Sequence, residues 1–452
     1  MKNEDKTTCV VAASNHSKPI HTRENPATPA WIERAAWTKG MLTALQGDKP
    51  IKWYSLADKL GCADNLRAAW TYVQSRSKSV GVDRQSLESF ARKHEEYLVN
   101  LQSELKQGSY KPAPMLRKYI PKLGSSKMRP IGISTVRDRI VHAAVKQSIE
   151  PIFERVFLDC SFGFRPGRGS KDALRKVQSL LNQGYRWVVD ADIESFFDSI
   201  DHDLLRDAIR VHVVDSKVLS LVDLLVKQPV MEGEIKTYPT KGTPQGSILS
   251  PLLANIFLHS MDQTLTNAGL QVVRYADDLV ILCKSETEAN TALEQLKTEC
   301  GKRKLTIHPS KTKVVNEAED EFDFLGYTFR KGDRFPKIAA SKKWRAAIVA
   351  LTPRSVGKSI HTVIDRVNKT LSGIFEYFKH SSYGRAFAKL DQFVRRRLRA
   401  ILLRQNHKTY TYGRGRAQNV WPNKWFADQG LISVWEAHAN QREAWNSARQ
   451  SR

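Results

Sequence analysis

Leu270-Gln271-Val272-Val273-Arg274-Tyr275-Ala276-Asp277-Asp278-Leu279-Val280-Ile281-Leu282 decides how this chain folds. Its two flanks are short runs rich in β-branched and aliphatic residues, and between them adjacent carboxylates stand where a tight turn favours Asp. The pattern predicts a hairpin with paired acids at its tip. Adjacent aspartates in a partly buried turn repel each other and lose hydration, so a divalent cation is their natural partner. Taken alone, the tetrapeptide Tyr275 to Asp278 is equally compatible with a solvated Asp-Asp turn.

A second acidic segment, Trp187-Val188-Val189-Asp190-Ala191-Asp192-Ile193-Glu194-Ser195-Phe196-Phe197-Asp198, again leads from an apolar strand into carboxylates. Strand alternation puts Asp190 and Asp192 on one face, joined by Glu194 if the strand continues that far. Beside Asp277 and Asp278, Asp192 completes a set of three carboxylates whose hard oxygens suit Mg²⁺, an ion that keeps coordination positions for substrate phosphates. Two such ions about 3.5 to 4 Å apart stabilise the attacking and leaving oxygens of an in-line phosphoryl transfer. Nucleotide polymerisation is the chemistry such a set implies.

Further blocks surround these acids between residues 80 and 335. Upstream are Ile120-Pro121-Lys122, Arg129-Pro130-Ile131-Gly132-Ile133, Arg137-Asp138-Arg139 and Ser161-Phe162-Gly163-Phe164-Arg165-Pro166. Gly242-Thr243-Pro244-Gln245-Gly246-Ser247 and Ser250-Pro251-Leu252-Leu253-Ala254-Asn255 precede the acidic turn, and His308-Pro309-Ser310-Lys311-Thr312 and Phe324-Leu325-Gly326-Tyr327 follow it. In this order the blocks resemble a reverse transcriptase, most closely the reverse transcriptase/maturase proteins encoded by bacterial group II introns.

The resemblance implies that Asp192, Asp277 and Asp278 form the catalytic, metal-binding triad, with Ile193 also among the metal-contacting positions and two Mg²⁺ ions as cofactor. Asp190, Glu194 and Asp198 fall outside the triad and read as solvated or supporting acids. Phe197 matches the bulky gate that leaves no room for a 2′-hydroxyl, the group that distinguishes RNA from DNA, and so implies deoxynucleotide substrates. If the register slips by one, Phe196 takes that role and Phe197 is plain core. Lys122 and Arg129 flank the Gly124-Ser125-Ser126 turn and match triphosphate ligands, Arg for bidentate contact and Lys as a point charge. A basic solvated loop is the alternative. Gln245 matches the residue that touches the incoming nucleotide, and Gly246 permits close backbone approach. Ser250-Pro251 reads as an N-cap with proline in the first helical turn. Tyr275 and Lys311 match positions near nucleic acid, although Lys311 also reads as a surface lysine.

Composition points to a polyanionic partner. The chain has 452 residues, 41% hydrophobic content and a net charge of +25. That balance suits a globular protein with a sizeable core whose phosphate contacts make binding strongly salt-dependent. No stretch approaches the about 18 apolar residues of a membrane span, and the N-terminus lacks the apolar core of a secretory signal. Cys9, Cys62, Cys160, Cys283 and Cys300 contain no C-x-x-C pair, which suits free thiols in a reducing cytosol and implies no metal-dependent endonuclease, and the resemblance places that cytoplasm in a bacterium.

Charge concentrates toward the C-terminus: residues 341–452 carry 22 basic and 6 acidic residues, against 50 and 41 in the first 340. Ile360, Val363, Ile364, Val367, Leu371, Ile374 and Phe378 recur at helical spacing, as do Phe387, Leu390, Val394, Leu398 and Ile401. The second helix also carries Arg395, Arg396, Arg397, Arg399 and Arg404 with no acid among them, a face for nucleic acid. The region resembles the family's thumb, or maturase X domain. Beyond Thr409, Tyr410, Tyr412, Arg414, Arg416, Trp421, Lys424, Trp425 and Trp435 either stack on bases or anchor the segment to the thumb.

The expected architecture is α+β, a right-hand polymerase with fingers, a palm built on an antiparallel sheet, and a helical thumb. Its divisions are a disordered segment at 1–28, an N-terminal extension and fingers at 29–110, fingers and palm at 111–335, a thumb at 341–408, and a basic aromatic DNA-binding-like segment at 409–452. The N-terminal extension rests on Trp31, Trp37, Leu42, Leu45, Trp53, Leu56 and Trp70, read as helical. The implied reaction joins a deoxynucleoside triphosphate (dNTP) to a primer 3′-hydroxyl on an RNA template. The implied partners are an RNA template with DNA primer, the protein's own group II intron RNA, whose splicing it assists, and target DNA during retrohoming. A splicing-only maturase and a host-adopted reverse transcriptase in repair or defence stay open.

Overall fold

The computed structural model describes residues 52–76, 78–121, 128–353, 355, 357–406 and 414–450. The expectations for residues 1–28, for Trp31 to Leu45, and for Lys122, Tyr410 and Tyr412 lie outside the described residues. Among the described residues the architecture is mixed α+β with sheets that are antiparallel apart from one parallel strand pair.

Helices Ala63–Gln74 and His94–Gln107 lead into β1 (Met115–Pro121) and β2 (Met128–Ile133), which pair antiparallel, and then into a long helix, Val136–Val156. Thr135 starts that helix by accepting the Asp138 amide on its hydroxyl, satisfying one of the donors a helix start leaves free. β1 also pairs with β4 (Val230–Glu232), which pairs with β5 (Ile235–Thr237), giving the sheet order β2-β1-β4-β5.

The central sheet holds β3 (Trp187–Asp192), β6 (Gln271–Tyr275), β7 (Asp278–Cys283) and β8 (Lys313–Asn316) in the order β6-β7-β3-β8, every pair antiparallel. Both of its faces are covered. Val189, Ala191, Leu279 and Ile281 pack with the helices Val136–Val156, Ser250–Asn267 and Glu286–Lys302. Val188, Val273, Val280 and Leu282 pack on the other side with the helix Ser170–Asn182 and with a small sheet of β9 (Phe322–Phe324), β10 (Tyr327–Arg330) and β11 (Asp333–Pro336). Burial on both sides explains why these strands read as continuous apolar runs.

The two amphipathic stretches of the C-terminal part form helices Ile360–Phe378 and Arg385–Gln405 beside Ile338–Leu351. Val363, Ile364, Val367, Leu371 and Phe378 are buried, as are Phe387, Leu390, Val394, Leu398 and Ile401, while Ile360 and Ile374 are half-buried. The chain after Arg414 continues this core: Trp421, Phe426, Leu431 and Val434 all join it. Asp391 fixes the last helix, Val434–Gln450, accepting from Ser433 Oγ at 2.8 Å and from the Trp435 amide at 3.1 Å. Of the two readings of the aromatic segment, anchoring therefore accounts for Trp421, whereas Trp435 stays 48% exposed.

Two local expectations are corrected. Ser250 is the first residue of its helix, not its cap; Leu249 stands at the cap, and Ser250 Oγ donates instead to the Pro244 carbonyl at 2.9 Å. β3 ends at Asp192, so Glu194 lies beyond the strand that carries Asp190 and Asp192, although antiparallel pairing goes on through Ile193 opposite Ile307 and the Glu194 amide donates to the Thr306 carbonyl at 2.9 Å before Ser195 takes a left-handed backbone (φ +46°).

Candidate active site

β3 and β7 pair so that Asp192 lies directly opposite Asp278. Residues so placed have Cβ atoms about 4.5 to 5.5 Å apart. Tyr275 pairs with Asp278 across β6 and β7, leaving Ala276 and Asp277 as a two-residue turn. The expected hairpin is present, with its acids at the tip. Ala276 is buried in the left-handed region at φ +60°. Asp277 is half-buried, and Asp278, at the strand start, still reaches solvent. The surrounding protein nevertheless pushes the Asp278 carboxyl up to about 6, with the charges of Asp277 and Asp192 adding to the effect. Asp277 is raised by burial and then by Asp192, against the pull of Arg129 and Arg274.

A lysine partly offsets this concentration of negative charge. Lys311 Nζ lies 2.6 Å from Asp192 Oδ2, and the loop carrying it clasps the end of β3 through the His308 amide, which donates to the Asp192 carbonyl at 2.8 Å. Among the described residues no three His, Cys, Asp or Glu side chains already converge as a chelate. Asp192 is turned toward Lys311 instead. The donor set itself, three carboxylates that repel one another at a strand end and turn, fits a hard divalent cation. Ile193 buries its side chain, so only its carbonyl has the chemistry to ligate a metal. Asp190, on the same face of β3, is pushed up to about 6 chiefly by burial, and Lys313 counters this.

Gly242 to Gly246 bring the second cluster together. The Thr243 amide donates to the Phe197 carbonyl at 2.7 Å, and Gln245 Nε2 donates to Asp198 Oδ2 at 3.4 Å. Gly246 sits at φ +103°, where a Cβ would meet the Gly132 carbonyl oxygen at 2.6 Å, and the Gly132 amide donates to the Gln245 carbonyl at 2.8 Å. Close backbone approach is therefore real, and its object is β2. Arg129, exposed on β2, is electrostatically coupled to Asp277. Phe196 is 2% exposed and packs on Phe257, whereas Phe197 is half-buried beside Asp198.

The C-terminal arginines divide in two. Arg397 donates to Thr352, including Oγ1 at 3.1 Å, and Arg399 donates to the Trp421 carbonyl and to Asn423 Oδ1, both at 2.9 Å. These two hold the helical bundle together. Arg396 is exposed and Arg395 half-buried on the same helix. Tyr275 is half-buried, its ring 6.2 Å from that of Phe164.

Sequence reasoning overlooked Arg274, which it treated as one more residue of an apolar strand. Its side chain is wholly buried and pairs with Asp262 Oδ2 at 2.6 Å. A lone Arg inside an otherwise apolar strand was the available signal, because a buried charge demands a partner.

Comparison with known proteins matches this chain to a family. A model described as "Reverse transcriptase (RNA-dependent DNA polymerase)" matches residues 120–329, and one described as "Group II intron, maturase-specific domain" matches residues 341–421. The chain is 34% identical to Protein YkfC of Escherichia coli (strain K12), over 53% of this chain and 72% of that protein. It is 33% identical to the Group II intron-encoded protein LtrA of Lactococcus lactis subsp. cremoris, over 52% of this chain and half of that protein's length. No helix among the described residues is long and apolar enough to cross a membrane. With a reverse transcriptase match over the acidic hairpin, a maturase match over the basic bundle and a relative aligned over most of its length, the chain belongs to the family of group II intron-encoded reverse transcriptase/maturases.

Proposed function

We propose that this chain extends a DNA primer on an RNA template, and that Asp192, Asp277 and Asp278 are the catalytic carboxylates. The observation that carries the reading is the register placing Asp192 opposite Asp278 with Asp277 at the adjoining turn. Two Mg²⁺ ions held there, with the Ile193 carbonyl as a further ligand, would stabilise charge on the attacking 3′-oxygen and the leaving pyrophosphate. The chain's own residues do the remaining work. Arg129 and Lys122 hold the triphosphate, Gln245 and Gly246 line the nucleotide, and Phe197 closes the space a 2′-hydroxyl needs. In this reading the β1–β2 layer serves as fingers, the central sheet as palm and the C-terminal helices as thumb. Tyr275, Lys311, Arg395 and Arg396 face template and primer.

The basic bundle further supports binding to the protein's own intron RNA, assistance in its splicing, and cDNA synthesis at a DNA target in a bacterial cytoplasm. Primer extension on an RNA template with deoxynucleotides and Mg²⁺ tests the core of the proposal, with Asp277→Asn as the comparison. Long cDNA from the native chain alone supports it. No extension by either, with salt-sensitive RNA binding retained, moves the reading to a splicing-only maturase.

A further inference from the structure

We propose that Arg274, clamped by Asp262 and Asn255, is a positioning residue that fixes the Ala276-Asp277 turn and thereby the spacing of the three carboxylates. The inference rests on the polymerase reading of those carboxylates, but it concerns residues that touch neither substrate nor metal.

All five guanidinium donors of Arg274 are used. Nε and Nη2 donate to Asp262 Oδ1 and Oδ2 at 2.8 and 2.6 Å, a bidentate pair. Nη2 also donates to Ser161 Oγ at 2.8 Å. Nη1 donates to Asn255 Oδ1 at 2.9 Å and to the Ala276 carbonyl at 3.0 Å. Arg274 and Asp262 are both 0% exposed. A buried ion pair is a poor source of stability, since apolar side chains of similar volume do as well or better. What it does provide is one fixed arrangement, and here the fixed object is the carbonyl at the centre of the turn.

That turn needs holding. Ala276 adopts a left-handed backbone that a Cβ disfavours, with no glycine to relieve it. The chain around Ser161 supports it from a second side. The Phe162 amide donates to the Arg274 carbonyl at 2.9 Å, and the Arg274 amide donates to the Cys160 carbonyl at 2.8 Å. Gly163 then passes so close that a Cβ there would lie 2.4 Å from the Ala276 nitrogen. Asn255 joins the two supports, because its Nδ2 donates to the Gly163 carbonyl at 2.8 Å while its Oδ1 accepts from Arg274. Helix, loop and hairpin thus meet at one buried guanidinium. Lysine keeps the charge opposite Asp262 but lacks the planar fork that reaches Asn255 and the Ala276 carbonyl together.

The test compares the full-length native chain with Arg274→Lys and Asn255→Ala. Mn²⁺ binding is followed by electron paramagnetic resonance, which requires no turnover, and primer extension gives kcat and the KM for deoxynucleotide. Circular dichroism and template–primer affinity report on folding. Both variants should fold and bind template–primer as the native chain does, while Mn²⁺ affinity falls by about tenfold. kcat should fall with KM little changed, and added Mn²⁺ should recover part of it. Native Mn²⁺ affinity and native kcat in both variants would overturn the proposal. If Arg274→Lys does not fold, Asn255→Ala, which leaves the Arg274–Asp262 pair intact, decides the matter alone. A native chain that binds Mn²⁺ but extends no primer defeats the polymerase reading, and the Mn²⁺ comparison still tests the clamp. A native chain that binds no Mn²⁺ sinks both.

Discussion

Lys311 Nζ stands 2.6 Å from Asp192 Oδ2, so a lysine ammonium sits at the carboxylate that a catalytic metal would claim. Both partners are accessible, and such an exposed pair contributes about 0 to 1 kcal/mol, so it yields easily to a divalent ion. Lys311→Met should leave the melting temperature unchanged and tighten Mn²⁺ binding by up to about fivefold, the equivalent of about 1 kcal/mol. Titration with Mn²⁺ checks it, and weaker binding by the variant would show that Lys311 supports the metal site instead of competing for Asp192.

The clustered carboxylates also make the metal-free protein pH-sensitive. Asp278 and Asp190 are pushed from 3.8 to about 6 in the folded chain. Because the folded value lies above the unfolded one, their contribution to stability is fully present below the unfolded value and is lost as pH rises through about 6. In EDTA, Asp278→Asn should therefore melt above the native chain at pH 7.5, with the gain gone by about pH 4. Solvent reaches Asp278, so screening keeps the gain small. A variant less stable than native at pH 7.5 would contradict the burial, reinforced by the charges of Asp277 and Asp192, on which this rests.

How much of this was legible beforehand depended on whether a signal was local. The hairpin, its acids, and the two amphipathic helices follow from periodicity and turn chemistry, which neighbouring residues set by themselves. The partners of Arg274 did not follow, since Asp262 and Asn255 lie on a helix and Ser161 in a distant loop. The division of the arginine row was hidden for a similar reason. Arg395, Arg396, Arg397 and Arg399 look alike in sequence, yet Arg397 and Arg399 turn to Thr352 and Trp421. Ser250 misled because its hydroxyl found the Pro244 carbonyl, a partner across a loop.

The neighbouring phenylalanines should behave in opposite ways. Phe197 is half-buried with its carbonyl held by the Thr243 amide, so Phe197→Ala should leave the fold intact and raise ribonucleotide incorporation relative to deoxynucleotide. Phe196 is core, and Phe196→Ala should cost about 3 to 5 kcal/mol without altering sugar selectivity. Competition between the two nucleotide types in single-turnover extension, beside urea melts, separates them. Ribonucleotide use by the Phe196 variant alone would transfer the gate to that residue.

Within the arginine row, binding and stability should separate. Replacing Arg395 and Arg396 with Ala should weaken RNA binding and reduce its salt slope by about 1 to 2, the signature of lost phosphate contacts. Replacing Arg397 removes the partner of the buried Thr352 carbonyl and should lower stability by about 1 to 3 kcal/mol. Filter binding across a salt series and thermal melts of the same variants provide the check. Equal salt slopes for both would show that the helix presents no phosphate-binding face.

Gly163 offers the sharpest steric test of the support beneath the acidic turn. A Cβ at this position would lie 2.4 Å from the Ala276 nitrogen and 2.9 Å from the Tyr275 carbonyl carbon, both main-chain atoms with no rotamer to escape into. Gly163→Ala must therefore push the hairpin tip away from the loop, at about 1 to 3 kcal/mol of stability. Because the displaced atoms carry Asp277, primer extension should fall much further than the melting temperature suggests. Gly167→Ala is the matched control: Gly167 has a positive φ of +70° but nothing within 4 Å of an added Cβ. It should cost about 1 to 2 kcal/mol through backbone strain and leave extension native. Equal activity in the two variants at matched stability would mean that the acidic hairpin tolerates displacement, and that the loop at Gly163 serves only to close the core.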